Sequence, residues 1–201
     1  MGTDLFSEEC AAQEKRRRRP ENKSVPIVLI LLGVILIAGD GKARTGDLTR
    51  DPADVVRVYV SLDSKGARLD SMSYESFRPY VNWSEEPTWG HAVIIEGYEV
   101  VDDIKKWEIV SNLEVVIPVR YRMVGSVYWN AASFIPDSQE MVVGFRVKAI
   151  HSRWKIIEPI QPPHVNRQRF VNYIRESALE ETNPVQRQTL DALQAEVKRA
   201  K

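Results

Sequence analysis

The stretch LEVVIPVRYRMVGSVYW, residues 113–129, alternates apolar and polar side chains over most of its length. Successive side chains of a β-strand point to opposite faces, so this period of two predicts a long strand with one buried and one solvated face. The predicted inward residues are Leu113, Val115, Ile117, Val119, Tyr121 and Met123. Glu114, Arg120 and Arg122 fall on the outer face, where Pro118 predicts an edge strand or a bulge.

Four further stretches have strand character, with many β-branched residues or the same alternation: 91–102, 105–112, 141–150 and 154–160. In the third of them Val143, Phe145 and Val147 face inward, while Arg146 and Lys148 face outward. Residues 151–153 predict the turn into the fourth. Together these segments predict a sheet of long antiparallel strands with one face that needs a cover.

Helical segments flank the predicted sheet. Asp51 as N-cap, Pro52 in the first turn and Gly66 at the end predict a helix whose apolar stripe covers the sheet. A short helix is predicted around residues 74–80. From residue 166 the period is helical again, and Asn183 followed by Pro184 divides this part into two helices. The fold class is therefore α+β.

Several of these pieces resemble one known superfamily. DPADVVRVYVSLDSKGARLDS (51–71) is similar to the first helix of nuclear transport factor 2-like (ketosteroid isomerase-like) cones, and VVGFRVKAIHSRWKIIEP (142–159) is similar to their last hairpin. IIEGYEVVD (94–102) and EPIQPPHV (158–165) resemble a bacterial exported subgroup with no assigned activity. The resemblance covers residues 51–165 and implies a curved antiparallel sheet covered by N-terminal helices. Residues 166–201 are then a helical extension beyond the minimal cone.

The N-terminal part has the charge order of a membrane-targeted chain. Residues 25–39 carry no charge, and as a helix these fifteen residues would span about 22 Å. A basic cluster at residues 15–19 precedes them, which predicts a cytoplasmic leader (1–24) and export of everything after a linker (40–50). The folded domain would lie outside the bacterial inner membrane. The apolar segment could be an uncleaved anchor, or a signal peptide that is cleaved to release a periplasmic protein.

Composition excludes several functions. The chain has 28 basic and 28 acidic residues, so we predict no nucleic-acid partner. Its single cysteine, Cys10, precedes the apolar segment, so neither an intrachain disulfide nor a cysteine metal site can form. No glycine-rich phosphate loop and no GxSxG motif occur. We therefore predict no cofactor and no bound metal.

The catalytic candidates are weak. Tyr59 and Asp63 are four residues apart on the first helix and share a face, where a tyrosine donor beside a carboxylate could polarise a carbonyl. The alternative is a tyrosine packed in the core and a solvated or capping aspartate. His151 lies in a predicted turn and should be exposed. His164 follows two prolines, which places it at the rim or in a loop.

The resemblance also implies an apolar pocket at the open end of the cone. Tyr59 and Tyr98 are candidate pocket residues. Trp83 and Trp89 flank the loop SEEPT (84–88), where such cones close over a ligand, and they are candidates for a lid. The alternative is a loop held in place by aromatic packing.

Three functions follow from these observations. The first is a membrane-tethered or exported, non-catalytic binding and assembly module that docks a protein partner or a second copy. The second is an acid–base enzyme of the isomerase, dehydratase or hydrolase type. The third is a carrier of a small apolar ligand. The missing catalytic motif and the additional helices favour the first.

Overall fold

The computed structural model describes residues 50–69, 74–85 and 87–200. The predicted leader, the apolar segment 25–39 and the linker up to residue 49 lie outside the described residues. The helices of the described part are α1 (Pro52–Ser64), α2 (Tyr74–Phe77), α3 (Arg167–Glu180) and α4 (Pro184–Arg199). Its strands are β1 (His91–Val100), β2 (Glu108–Ser111), β3 (Glu114–Tyr128), β4 (Ser133–Pro136), β5 (Glu140–Ile150), β6 (Arg153–Glu158) and β7 (His164–Asn166).

One sheet contains all seven of these strands, and β3 is its central strand. The path runs β6-β5-β3-β1-β7, and β2 and β4 also pair with β3. On one edge of β3 lie β2 and then β1, and on the other lie β5 and then β4. All pairs are antiparallel except β1 with β7. The predicted α+β class, the curled, mainly antiparallel sheet and the C-terminal helices are thereby confirmed.

The prediction of an edge strand or a bulge at Pro118 is wrong. This residue lies in the central strand, opposite Gly144 of β5, in a ladder without a register shift. On the other edge the pairing with β1 ends at Val119, and the pairing with β2 reaches only to Val116. The missing N–H of Pro118 therefore falls in the gap between two partner strands, where it removes no ladder hydrogen bond.

The expectation of one solvated sheet face holds for only part of the sheet. Val93 and Ile95 of β1 pack in a core with α1, while Ala92 and Ile94 pack in a second core with α3 and α4. Strands buried on both faces have continuous apolar runs instead of alternation, and residues 92–95 show this pattern. The C-terminal helices therefore cover the second face of the sheet at this end.

Helix starts and turns follow local chemistry. The Asp51 carboxylate accepts a hydrogen bond from Ala53 N at 2.9 Å, so Asp51 is the predicted N-cap of α1. Gly66 has a φ of +76°, and this left-handed conformation reverses the chain after α1. The β5–β6 hairpin turns at His151 and Ser152, with φ values of 48° and 62°, typical of a type I′ turn.

The start of α3 and the break before α4 also agree with the sequence. Asn166 accepts from Gln168 N and caps α3, and Asn183 accepts from Val185 N and caps α4 with Pro184 in the first turn. Within residues 50–69, 74–85 and 87–200, none of the helices has the length and apolar character needed to cross a membrane.

Gly125 provides a test of the packing between β3 and β4. A Cβ atom at this position would lie 2.3 Å from the Ile135 carbonyl oxygen and 2.7 Å from the Phe134 ring. We expect Gly125→Ala to lower the free energy of unfolding by about 2 to 3 kcal/mol, because backbone would have to move. A Cβ at Gly90 would meet nothing within 4 Å, so Gly90→Ala should change stability by less than about 1 kcal/mol. Urea unfolding of both variants measures the difference, and equal midpoints would contradict the packing described.

Candidate functional site

Helix α1 brings Tyr59 and Asp63 into the interior, one turn apart on its inner face. Tyr59 is fully buried and meets the rings of Phe77, Trp83 and Phe145 at centroid distances of 5.3 to 5.9 Å. Asp63 is only 1% exposed. The expectation of a packed tyrosine is met, but the expectation of a solvated or capping aspartate is wrong. A buried carboxylate requires partners, and these come from distant parts of the chain.

Arg68 supplies the charge that Asp63 requires. The turn at Gly66 directs it back beneath α1, where its side chain is buried. Its Nη1 lies 3.5 Å from Asp63 Oδ2 and donates to Tyr59 Oη at 3.2 Å. Its Nη2 donates to the Gln161 carbonyl oxygen at 2.7 Å. The guanidinium thus joins the end of α1 to the segment that precedes β7.

His164 is the second partner, and its placement corrects the prediction of a rim or loop residue. It is the first residue of β7 and is buried, and its backbone N–H donates to Asp63 Oδ2 at 3.0 Å. β7 pairs parallel with β1 as the last strand of the sheet and also contacts α1, and this position buries His164. The two prolines before it give an extended entry into that strand.

The imidazole of His164 has a defined tautomer. Its Nδ1 lies 2.8 Å from the Pro162 carbonyl oxygen, which can only accept, so Nδ1 carries the proton. Burial, together with the positive charge of Arg68, lowers the pKa of His164 to about 4, although the hydrogen bond to Pro162 acts in the opposite direction. The ring is therefore neutral at pH 7. An efficient general base has a pKa near the working pH, so His164 is poorly tuned for that role.

Tyr121 and Gln161 complete the polar cluster. The Tyr121 ring lies 4.6 Å from the His164 ring, centroid to centroid. Burial raises the pKa of Tyr121 well above its usual value, and the negative charge of Asp63 adds to this. His164 Nε2 is a buried atom with no hydrogen-bond partner within the described part of the chain. The side chain of Gln161 lies close enough to Tyr121 Oη for a hydrogen bond, which acts against the rise in the pKa of Tyr121.

The other candidate pocket residues lie around the same core. Trp83 is buried with its ring edge-on to Tyr59 at 5.9 Å, and its carbonyl oxygen accepts from Tyr74 Oη. This is the aromatic packing given above as the alternative to a lid. Trp89 is half-buried, and Tyr98 is a half-buried residue packed against the core. A lid role for the two tryptophans stays a prediction.

A separate groove lies at one end of the sheet. It has a volume of about 410 Å³. Residues from the start of α1, the 3-10 turn Ile104–Lys106, β2 and β6 line it, among them Pro52, Trp107, Ile109 and Trp154. Trp107 is fixed by a hydrogen bond from Nε1 to the Val101 carbonyl oxygen. The area of the lining is mainly apolar.

Comparison of the chain with family models, with curated proteins and with solved structures gives no match in any of the three. Among the described residues, no three His, Cys, Asp or Glu side chains are grouped so that they could hold a metal ion.

Sequence patterns found only part of this site. Tyr59 and Asp63 were identifiable because residues four apart share a helix face. Arg68 was missed, because an arginine two residues after a helix-ending glycine is ordinarily exposed. Gln161 was missed because its partners are far away in sequence: the Arg68 bond spans 93 residues. Tyr121 was predicted to face inward, but not to meet a histidine.

The Asp63–Arg68 pair leads to a prediction about stability. Arg68→Met should lower the free energy of unfolding by about 3 to 5 kcal/mol, because it leaves a buried carboxylate without its cation. Arg68→Met combined with Asp63→Asn should recover much of this loss, since the asparagine is neutral and its oxygen still accepts from His164 N. Arg120→Met, which breaks the exposed pair with Glu99 at 3.4 Å, should cost less than about 1 kcal/mol. Chemical unfolding measures all three, and additive losses in the double variant would contradict the pairing.

The pKa of His164 leads to a prediction about pH. As the pH falls, the unfolded chain binds a proton near pH 6.5, before the folded chain does so near pH 4. The neutral imidazole therefore makes its full contribution to the free energy of unfolding above about pH 6.5, and this contribution is lost as the pH falls from about 6.5 to about 4. It amounts to about 3 kcal/mol.

His164→Asn should remove this part of the pH dependence, whereas His151→Asn, in the exposed hairpin turn, should not. The measurement is the free energy of unfolding at pH 7 and at pH 4.5 for each variant. A wild-type slope unchanged in His164→Asn would show that the imidazole is not buried in its neutral form.

Proposed function

We propose that the chain is a membrane-tethered, non-catalytic binding and assembly module whose nuclear transport factor 2-like domain lies outside the cytoplasm. The observation that carries this proposal is the state of the interior. Aromatic side chains around Tyr59 fill the space between α1 and the sheet, and the ionised side chains there, Asp63 and Arg68, bind each other and the backbone. An acid–base enzyme would require an ionisable group open to a substrate.

The architecture supports the superfamily part of this proposal. A helix packed on a curled, mainly antiparallel sheet, with a hairpin whose second strand contains Trp-Lys-Ile, agrees with the resemblance in residues 51–165. α3 and α4 lie beyond that unit and cover its second face. An extension of this kind adds outer surface for a partner without altering the interior.

The outer surface carries exposed apolar side chains where a partner could bind. Val142 of β5 is 62% exposed, and Ile135 of β4 is also exposed. Leu179 and Val185 flank the junction of α3 and α4 and are exposed as well. Single exposed apolar residues are ordinary, so a partner would have to cover several of these positions together.

The tether is tested by expressing the full chain with a C-terminal tag in a bacterial host. We expect the full intact mass in carbonate-washed membranes, with the tag digested by protease only after the outer barrier is opened. Replacing both Leu31 and Ile35 by Arg is the matched control, because it interrupts the apolar segment and should leave the chain in the cytoplasm. Crosslinking in the native cell should then capture a partner or a second copy.

A mass short by the first 39 to 43 residues, in the soluble envelope fraction, would contradict the tether. A monomer that crosslinks to nothing would contradict the assembly role. The two parts of the proposal therefore fail separately.

A pocket protein is the second candidate, favoured by the buried His164 Nε2, which has no hydrogen-bond partner within the described part of the chain. A small ligand that bound it would have to displace the contact of 4.6 Å between the Tyr121 and His164 rings. Such a ligand would be either the substrate of an acid–base enzyme or the cargo of a carrier. A ligand that co-purifies in a native mass spectrum and is lost in Tyr121→Phe would favour this candidate over the first.

A further inference from the structure

One end of the domain exposes apolar side chains on a short projection. The projection consists of the 3-10 turn Ile104–Lys106 and the β2–β3 hairpin, and its exposed apolar residues, here called the apolar tip, are Ile104, Ile109, Val110 and Leu113. Ile104 is 63% exposed and Leu113 is 51% exposed. All four residues of β2 are exposed, so its apolar side chains, Ile109 and Val110, are uncovered on both sides of the strand.

The chain enters the domain beside this tip. Asp51 and Pro52, at the start of α1, line the same groove as Ile104 and Ile109. Whatever precedes residue 50 therefore arrives at this end of the domain. The linker predicted between the apolar segment and α1 is eleven residues long, 40–50. A chain of that length extends to at most about 40 Å and averages about 20 Å as a flexible coil.

We propose that the apolar tip lies in the interfacial layer of the bilayer to which the chain is tethered. The inference rests on the proposed function, because the tether is what brings this end of the domain to the membrane. A linker of this length lets the tip reach the lipid surface, where apolar side chains enter the boundary between headgroups and acyl chains.

The form of the tip favours lipid over a protein partner. A protein that binds a sheet edge or a groove covers one side of a strand, whereas a bilayer surrounds a projection on all sides. Ile109 and Val110 point to opposite sides of β2 and are both exposed, which fits the second case. The tip is also well fixed: Leu113 O accepts from Ala149 N at 2.9 Å, and Leu113 N donates to Ser111 Oγ.

The charges around the tip are of both signs, and Glu108 of β2 is exposed beside Ile109. Lys105 and Lys106 follow Ile104 directly, and lysines near an interface extend their amines to the headgroups. Arg57 binds three nearby acids, Asp51, Asp54 and Asp102, which reduces their repulsion of anionic lipid. Asp103 pairs with Lys106 at 3.8 Å.

The test places an environment-sensitive fluorophore on the tip of the full chain in vesicles of phosphatidylethanolamine and phosphatidylglycerol. In a Cys10→Ser background, Leu113→Cys carries the label. Leu179→Cys is the matched control, because Leu179 is a more exposed leucine, at 76%, on α3. We expect a blue-shifted emission at position 113 that lipids with a nitroxide near the headgroup quench at least twofold more than at position 179. When Ile109→Asp and Val110→Asp are added to both labelled variants, most of the difference in quenching between positions 113 and 179 should be lost.

Equal quenching at both positions, with the full-length chain firmly in the membrane, would overturn the tip proposal and leave the tether intact. A crosslink from position 113 to a protein instead of quenching would overturn it also. If the chain proves to be cleaved, the tether proposal fails, and flotation of the cleaved protein with the same vesicles then tests the tip proposal. Flotation that is lost in the aspartate variant would support insertion of the apolar tip. No flotation of the unsubstituted protein would overturn it.

Discussion

A carboxylate buried in a protein must be matched by a cation and by hydrogen-bond donors, and Asp63 meets this requirement with three parts of the chain. It belongs to α1, its cation Arg68 follows the turn at Gly66, and its N–H donor is His164 of β7. Arg68 also binds the Gln161 carbonyl. These bonds hold β7 parallel to β1, and α3 begins directly after β7, at Arg167. This buried polar cluster therefore links α1, the helix on one face of the sheet, to the strand after which the helices of the other face begin.

This arrangement has a consequence for function. The titratable groups in the interior hold the fold together, and burial keeps His164 neutral at physiological pH. Its surroundings are those of a structural histidine, because no charged partner holds a proton on it. The end of the domain that carries the apolar tip is different from the interior, because its apolar side chains are exposed. An apolar groove and the exposed β2–β3 hairpin lie there beside the start of α1. The balance of buried and exposed chemistry supports a protein that acts through its surface.

The sequence predicted the strands and helices well because each has a local period or a local cap. Alternation identified β3 and β5, and Asp51 with Pro52 marked α1. The sequence did not predict β7, because three residues after two prolines are too short for any period. His164 was misplaced for the same reason, since its bond to Asp63 spans 101 residues. The covering of the second sheet face was not predicted, because an apolar run as short as residues 92–95 does not show which elements pack against it.

We infer that the interior of the domain is closed to solvent and that its titratable side chains serve the fold. Nitrogen NMR of the His164 imidazole in the full chain tests this inference, with the signals of the exposed His151 distinguished from those of His164. We expect a neutral ring protonated at Nδ1 that titrates only near pH 4. A His164 ring that titrates near pH 6.5, or that carries its proton on Nε2, would instead show an interior open to solvent.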